Sequence, residues 1–563
     1  MEYDLKIAGG MLVDGTGAPR RRGDVGIRGG RVVALGDAPG SAERTLDASD
    51  RIVAPGFVDI HTHYDAQVLW DRMLSISPWH GVTSVVMGNC GFGVAPTRPE
   101  HRELVLRTLE KVEGMSFDAL SSGLGRDWPF ETFPEYLTAI ERRGVAINVA
   151  VLVGHTPVRL YVMGEAATER AATADEIASM RAIVREALAV GAVGLATSKS
   201  PTHIGWAGRP VPSRLSEIDE IKALAGVLGE AGSGILQATL GRGLFFDEFD
   251  QIASETGRPI SWTALLAGAM GPGSHRGVLA RTAQQQREGR MVIPQVSCRP
   301  LNFEFQWKEP FPFESMQAFA AISSADLEGK LRRYRDPEFR RVFRESTETG
   351  FGRALSAWWQ RTWITSAPSE PGLAERPLAE VARERGVHPL DLALDLGIAS
   401  KLEARFRVSI MNADEDEVAE LLLAPHTVLG LSDAGAHASQ LCDACFSTHL
   451  LGHWVREKGT LELEQAVHML TARPAEVFGL ADRGQLKVGL PADITIFDAA
   501  RVGASPLRRV FDQPAGADRL VSDAIGIDAV IVGGTLVRSH GQDAVDPDGP
   551  LPGRLLRHGN ASP

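Results

Sequence analysis

Two histidines one residue apart, His61 and His63, close an apolar run in "GFVDIHTHYDAQ". In a strand alternate side chains share a face, so both imidazoles point the same way. Two nitrogen donors aimed at one point suit zinc or a similar divalent ion. They rarely complete such a site, so further ligands must come from elsewhere in the chain. Candidates stand just past other apolar runs: Cys90 in "MGNCGFG", His155 and Arg159 in "LVGHTPVR", Lys199 and His203 in "TSKSPTH", Cys298 and Arg299 in "SCRP", and Asp433 in "LSDAGAH". Each has a plainer reading. A buried cysteine usually acts as a small hydrophobe, an aspartate after a strand usually caps a turn, and His155, His203 and His437 could be ordinary hydrogen-bonded residues. "CDAC" at 442–445 has the look of a metal or redox pair, but no second pair exists, and it reads as structural.

The elements that must position these residues are legible as alternating strands and helices. Strand candidates are "FVDIH", "TSVVMGN", "VAINVAVLV", "AVGLATS", "SGILQAT", "RPISWTA", "MVIPQVS" and "TVLGLSD". Their near-continuous apolar character is that of parallel strands buried on both faces. Between the third and fourth, Thr173 and Glu176 form a capping box. Ile177, Met180, Val184, Ala187 and Leu188 then give a helical apolar stripe. Eight such units predict an α/β (β/α)8 barrel, with its chemistry at the carboxyl ends of the strands. The interval at about 300–425 is too long for a crossover and is read as an insertion between strands seven and eight, lying over the barrel mouth. Its aromatic text, including Phe303, Phe305 and Trp307, suits either an apolar wall for a ligand or the insertion's own core.

Short β-rich runs with glycine turns fill the first 50 residues and return near the end, in "GQLKVGLPADITIFD" and "AVIVGGTLVRSHGQ". Short strands need partners, so a small sheet built from both termini is expected. The predicted organisation is 1–55 and 485–545 in this terminal β domain, 56–484 in the barrel with its insertion, and a tail at 546–563.

With 563 residues, 44% hydrophobic and 23% charged, the chain reads as globular. The net charge of −12, without a basic run, argues against nucleic acid and anionic membranes as partners. A small-molecule substrate is expected, and self-association stays open. No apolar run reaches the roughly 18 residues of a spanning helix. "MEYDLKIAGGMLVDG" does not read as a signal peptide. Four cysteines are too few for a disulfide framework. A cytoplasmic enzyme is the expectation.

Taken in order, "APGFVDIHTHYDAQ", "WHGVTSVVMGNCGFGVAP", "LVGHTPVR", "LSDAGAH" and "LTARPAEVFGLADRGQLKVGLPADITIFD" resemble the amidohydrolase superfamily. Within it they resemble the N-acyl-D-amino-acid deacylase (D-aminoacylase) family, over nearly the whole chain. "GNCG" with "HTHYDAQ" is the more specific part. The resemblance implies a metal-bearing barrel with a β-sandwich formed by both chain ends. It also implies Cys90 as a metal ligand, and Asp433 as a catalytic base that touches the metal.

One departure stands out. Family members with two metals take a histidine from each of strands five and six, where this chain reads "GILQATL" and "PISWTALL". Gln237 and Trp262 stand near those places, and an indole cannot ligate a metal. One ion, zinc, is therefore expected, held by His61, His63 and Cys90 with Asp433 nearby. The implied reaction is hydrolysis of an amide C–N bond in an N-acylated amino acid or a similar small carboxylate. Asp433 would serve as the base, His155 would polarise the carbonyl, and Arg159, Lys199 or Arg299 would anchor the carboxylate. The alternatives are another bond on the same site (a cyclic amide or imide, a deamination, another carbonyl cleavage), or a ligand-binding protein whose catalysis has decayed.

Overall fold

A computed structural model describes residues 1–557 apart from 311–312, 314–315, 320–321, 323–324 and 349–357. Eight parallel strands follow one another around a barrel: β1 (Phe57–Asp59), β2 (Val82–Met87), β3 (Asn148–Gly154), β4 (Gly194–Ser198), β5 (Ile235–Thr239), β6 (Ile260–Thr263), β7 (Val292–Val296) and β8 (Val428–Leu429). Each pairs with the next in sequence order, and a parallel bridge from Thr62 to Ala434 closes β8 onto β1. All eight predicted strands are present. Their residues are almost all buried, as expected where helices cover the outside and side chains fill the inside. The Thr173–Glu176 capping box starts the helix Ala174–Ala189 as expected, with Met180, Val184 and Ala187 buried.

Both chain ends build one mixed nine-strand sheet. Ile494–Phe497 pairs antiparallel with Ile52–Pro55, whose partner Tyr3–Leu12 also carries Arg21–Arg28. The sheet's buried face includes Ile7, Val25, Val53, Ile494 and Ile531. Leu555–Leu556 pairs in parallel with the first half of β3, and Leu556 is buried among barrel residues such as Ala150 and Val193.

A second compact unit comprises Ala267–Ala269 and Arg299–Glu415, so the predicted insertion ends about ten residues earlier than expected. It has its own antiparallel sheet of Leu301–Gln306, Arg405–Met411, Thr362–Ser366 and Arg376–Pro377. Phe305 and Trp307 are 3% and 0% exposed in its core, against Phe313 and Phe406. The Trp307 indole N–H donates to the Ala393 carbonyl at 2.9 Å. For Phe305 and Trp307, the structure takes the insertion core and not a ligand-facing wall.

Candidate metal centre

Just past β1, His61 and His63 turn to the same side, as the strand alternation requires. One ligand atom each from His61, His63 and Cys90 lie within 4.8 Å of one another, the one such His/Cys/Asp/Glu trio among the described residues. Cys90 Sγ is 3.4 Å from His61 Nε2. Asp433 comes in from the loop after β8, its Oδ1 3.4 Å from His61 Nε2 and 3.9 Å from His63 Nε2. Its side chain keeps 27% exposure while the histidines are almost wholly enclosed, so Asp433 borders the open side of the cluster.

The backbone is bent to make this meeting possible. Cys90, Asp433 and His437 adopt left-handed φ values of 56°, 46° and 47°. Such conformations cost non-glycine residues energy and gather at functional sites. Next to Cys90, Gly91 (φ 75°) runs so close to β4 that an added Cβ would lie 2.8 Å from Thr197 Cα.

Two residues that no motif pointed to orient the imidazoles. Gln295, on β7, is held by its amide N–H to Ser261 Oγ at 3.0 Å. Its Oε1 lies 2.7 Å from His61 Nδ1. That oxygen can only accept, so it places the proton on Nδ1 and leaves Nε2 as the free donor pair. Glu113, the residue that ends the helix Arg102–Val112, puts Oε1 3.3 Å from His63 Nδ1. Beneath the pair, buried Asp59 accepts the His61 backbone N–H and the Ser432 hydroxyl, and burial pushes its carboxyl up to about 7.

Burial lowers the basicity of both histidines. The neutral imidazole that results is the form that ligates a metal. Burial also pushes the Cys90 thiol well up, helped by the charges of Glu113 and Asp433. A thiol must lose its proton to ligate, so metal uptake here would release protons. Two imidazoles and a thiol that can ionise on ligation, converging in a buried corner, fit a zinc-like ion.

Where relatives with two metals are expected to supply histidines, this chain offers none. Gln237 Oε1 accepts the Cys90 backbone N–H at 2.7 Å and braces the ligand loop. Trp262 does not face the cluster. Its ring stacks on Phe249 and meets Phe246 edge-on, both on the outer helix Phe246–Thr256. Alternation therefore turns its neighbours Ser261 and Thr263 inward, where they meet Gln295 and Thr239.

His155 and Arg159 are placed differently from expectation. His155 is fully buried, with Nδ1 2.8 Å from Thr197 Oγ1 and Nε2 2.8 Å from Glu220 Oε1. With both ring nitrogens engaged it cannot polarise a substrate carbonyl. Arg159 is likewise buried, its guanidinium spent on Glu220 and on the Arg170 carbonyl, so it cannot anchor a carboxylate. Burial raises the Glu220 carboxyl, but His155 and Arg159 outweigh it and hold the group below its usual range. Lys199 Nζ donates to the carbonyls of Arg214 and Ser216, both at 2.6 Å. Arg299 belongs to the second compact unit. Cys298, Cys442 and Cys445 are buried free thiols; Cys298 Sγ donates to the Phe446 carbonyl and Cys445 Sγ to that of Cys442.

Residues 44–538 match the model of the amidohydrolase family, and the chain belongs to that family. It is 32% identical to the D-aminoacylase of Alcaligenes xylosoxydans xylosoxydans over 95% of this chain and 94% of that one. A D-aminoacylase structure described by its binuclear metal centre, with one-metal activation and second-metal attenuation, superposes with a TM-score of 0.67 at 27% identity, covering 99% and 100% of the two chains. The N-acyl-D-glutamate deacylase of Bordetella bronchiseptica, complexed with zinc and a phosphonate inhibitor, gives a TM-score of 0.65 at 28% identity and the same coverage.

Proposed function

We propose that the protein is a metal-dependent hydrolase that cleaves the amide C–N bond of N-acylated amino acids, those of the D series first. The observation that carries this reading is the approach of His61, His63 and Cys90 to within 4.8 Å, with Asp433 beside them. It occurs in a chain that aligns end to end with a D-aminoacylase. His61, His63 and Cys90 would hold one divalent ion, and thiolate with imidazole favours zinc. When bound, the ion supplies Lewis acidity that lowers the pKa of water and polarises a carbonyl. Asp433, on the open side, takes a proton from the attacking water and hands it to the departing nitrogen. Gln295 and Glu113 keep the two imidazoles turned towards the ion. Gln237, Thr239, Ser261 and Thr263 offer no imidazole for a second ion, which supports one per chain. Lys199 is retained as the carboxylate anchor, because a third N–H remains beyond the two given to carbonyls. Among the described residues no helix is long and apolar enough to cross a membrane. The four free thiols support a reducing compartment, the cytoplasm.

The test incubates zinc-loaded protein with matched N-acyl-D- and N-acyl-L-amino acids and with cyclic amides, and identifies the products. Free amino acid and acyl acid should appear in equal amounts from the D series. Ring opening of cyclic amides without release from any N-acyl amino acid would overturn the assignment.

A further inference from the structure

We infer that Glu113 is a positioning residue of the metal centre, setting its affinity through His63. The inference rests on the metal reading above and concerns a residue that neither metal ligation nor proton transfer requires. Glu113 is 3% exposed, so its carboxyl has been taken out of water, which costs free energy unless a partner compensates. Its ion-pair partner is His63, at 3.3 Å from Oε1 to Nδ1. A carboxyl oxygen there faces the Nδ1 edge of the ring, so the Nε2 edge is the one turned towards Asp433 and the cluster. His61 receives the same treatment from Gln295, a neutral amide, at 2.7 Å. Burial and the neighbouring Asp433 and Asp65 push the Glu113 carboxyl well up, so the positive charge of a bound ion would be what draws it into the ionised form; the two ligands would then be braced by groups of different charge.

Placement reinforces the assignment. The Glu113 backbone carbonyl accepts the His437 N–H at 2.5 Å, and the following Gly114 (φ 58°) runs so close that an added Cβ would lie 3.1 Å from His437 Nδ1. One residue therefore fastens the His63 ring by its side chain and the loop carrying Asp433 by its main chain. Changing the side chain alone removes the first function and keeps the second. Outer partners of ligating histidines typically contribute 10- to 100-fold in metal affinity.

The experiment titrates cobalt(II) into metal-free wild type, Glu113→Gln and Glu113→Leu against a competing chelator, following the thiolate-to-cobalt absorption. Thermal midpoints of the metal-free proteins are measured alongside. Affinity should fall at least tenfold in Glu113→Gln, which keeps an acceptor without the charge, and further in Glu113→Leu, which keeps neither. The saturated spectrum should be unchanged, since the three ligands are the same. Cobalt affinity within threefold of wild type in Glu113→Gln, or equal losses in the two variants, overturns the inference. If Glu113→Leu does not fold, the tenfold criterion on Glu113→Gln decides alone. Wild type that binds no cobalt would instead remove the metal reading itself, so the two failures are separable.

Discussion

Asp433 is the residue on which the proposed chemistry turns. Its carboxylate borders both imidazoles from the one partly open side of the cluster. Asparagine there keeps the shape and loses the ability to take a proton. Asp433→Asn should lower kcat by about 10²–10⁴-fold, the usual contribution of a positioned base, while zinc content stays near that of wild type. Steady-state rates normalised to zinc content check this. Activity within tenfold of wild type at equal metal content would remove Asp433 from the role.

At the scale of elements, the buried trio His155, Glu220 and Arg159 ties the helix after β3 (His155–Met163) to the helix Ile218–Ala231. Its members serve the scaffold. Breaking one partner of a buried ion pair strands the other charge, so Glu220→Gln should destabilise the fold by about 3–5 kcal/mol at neutral pH. The sign of the pH dependence follows from the lowered carboxyl. Its stabilisation is present above the ordinary glutamate range and is lost as pH falls through the lowered value. The gap between wild type and Glu220→Gln in urea midpoint should therefore narrow towards acid. In the insertion, Trp307→Ala removes a fully buried ring from a dense aromatic core and should cost about 3–5 kcal/mol. Urea unfolding measures it, and an unchanged midpoint would contradict the assigned packing.

These elements also show what could be read without coordinates. Continuous apolar runs and capping signals are local, and they located all eight barrel strands and the Thr173 cap. His61 and His63 are visible because strand alternation advertises them, and Cys90 only through the family resemblance that "GNCG" carries. Glu113 and Gln295 are not, because nothing in "KVEGM" or "VIPQV" distinguishes a brace from a helix end or a strand residue. Their roles exist only through approaches across 50 and 234 positions of sequence. His155 and Arg159 misled for the converse reason: position after a strand suggested the site, while the partner that consumes both, Glu220, lies some 60 residues on.

For the whole molecule, the proposed centre predicts stoichiometry. Protein purified without added metal should carry close to one equivalent of zinc, lost in His61→Ala or His63→Ala. Two equivalents, or zinc that survives both changes, would require ligands outside this cluster. Because the folded site binds the ion and the unfolded chain does not hold it in this geometry, zinc at 100 times its Kd should add about 2.7 kcal/mol of stability. A chelator should lower the thermal midpoint of wild type and leave that of His63→Ala unmoved.

The pairing of Leu555–Leu556 with β3 has a consequence for how the protein comes into being. As the ribosome extrudes the chain, β3 emerges some 400 residues before the segment that covers its first half, and Ile52–Pro55 waits about as long for Ile494–Phe497. At about 5–20 residues per second, that is an interval of roughly 20–80 seconds in which these edges stay unmatched. A chain stopped before Leu555 would leave the barrel wall with a permanent apolar gap beside the first half of β3.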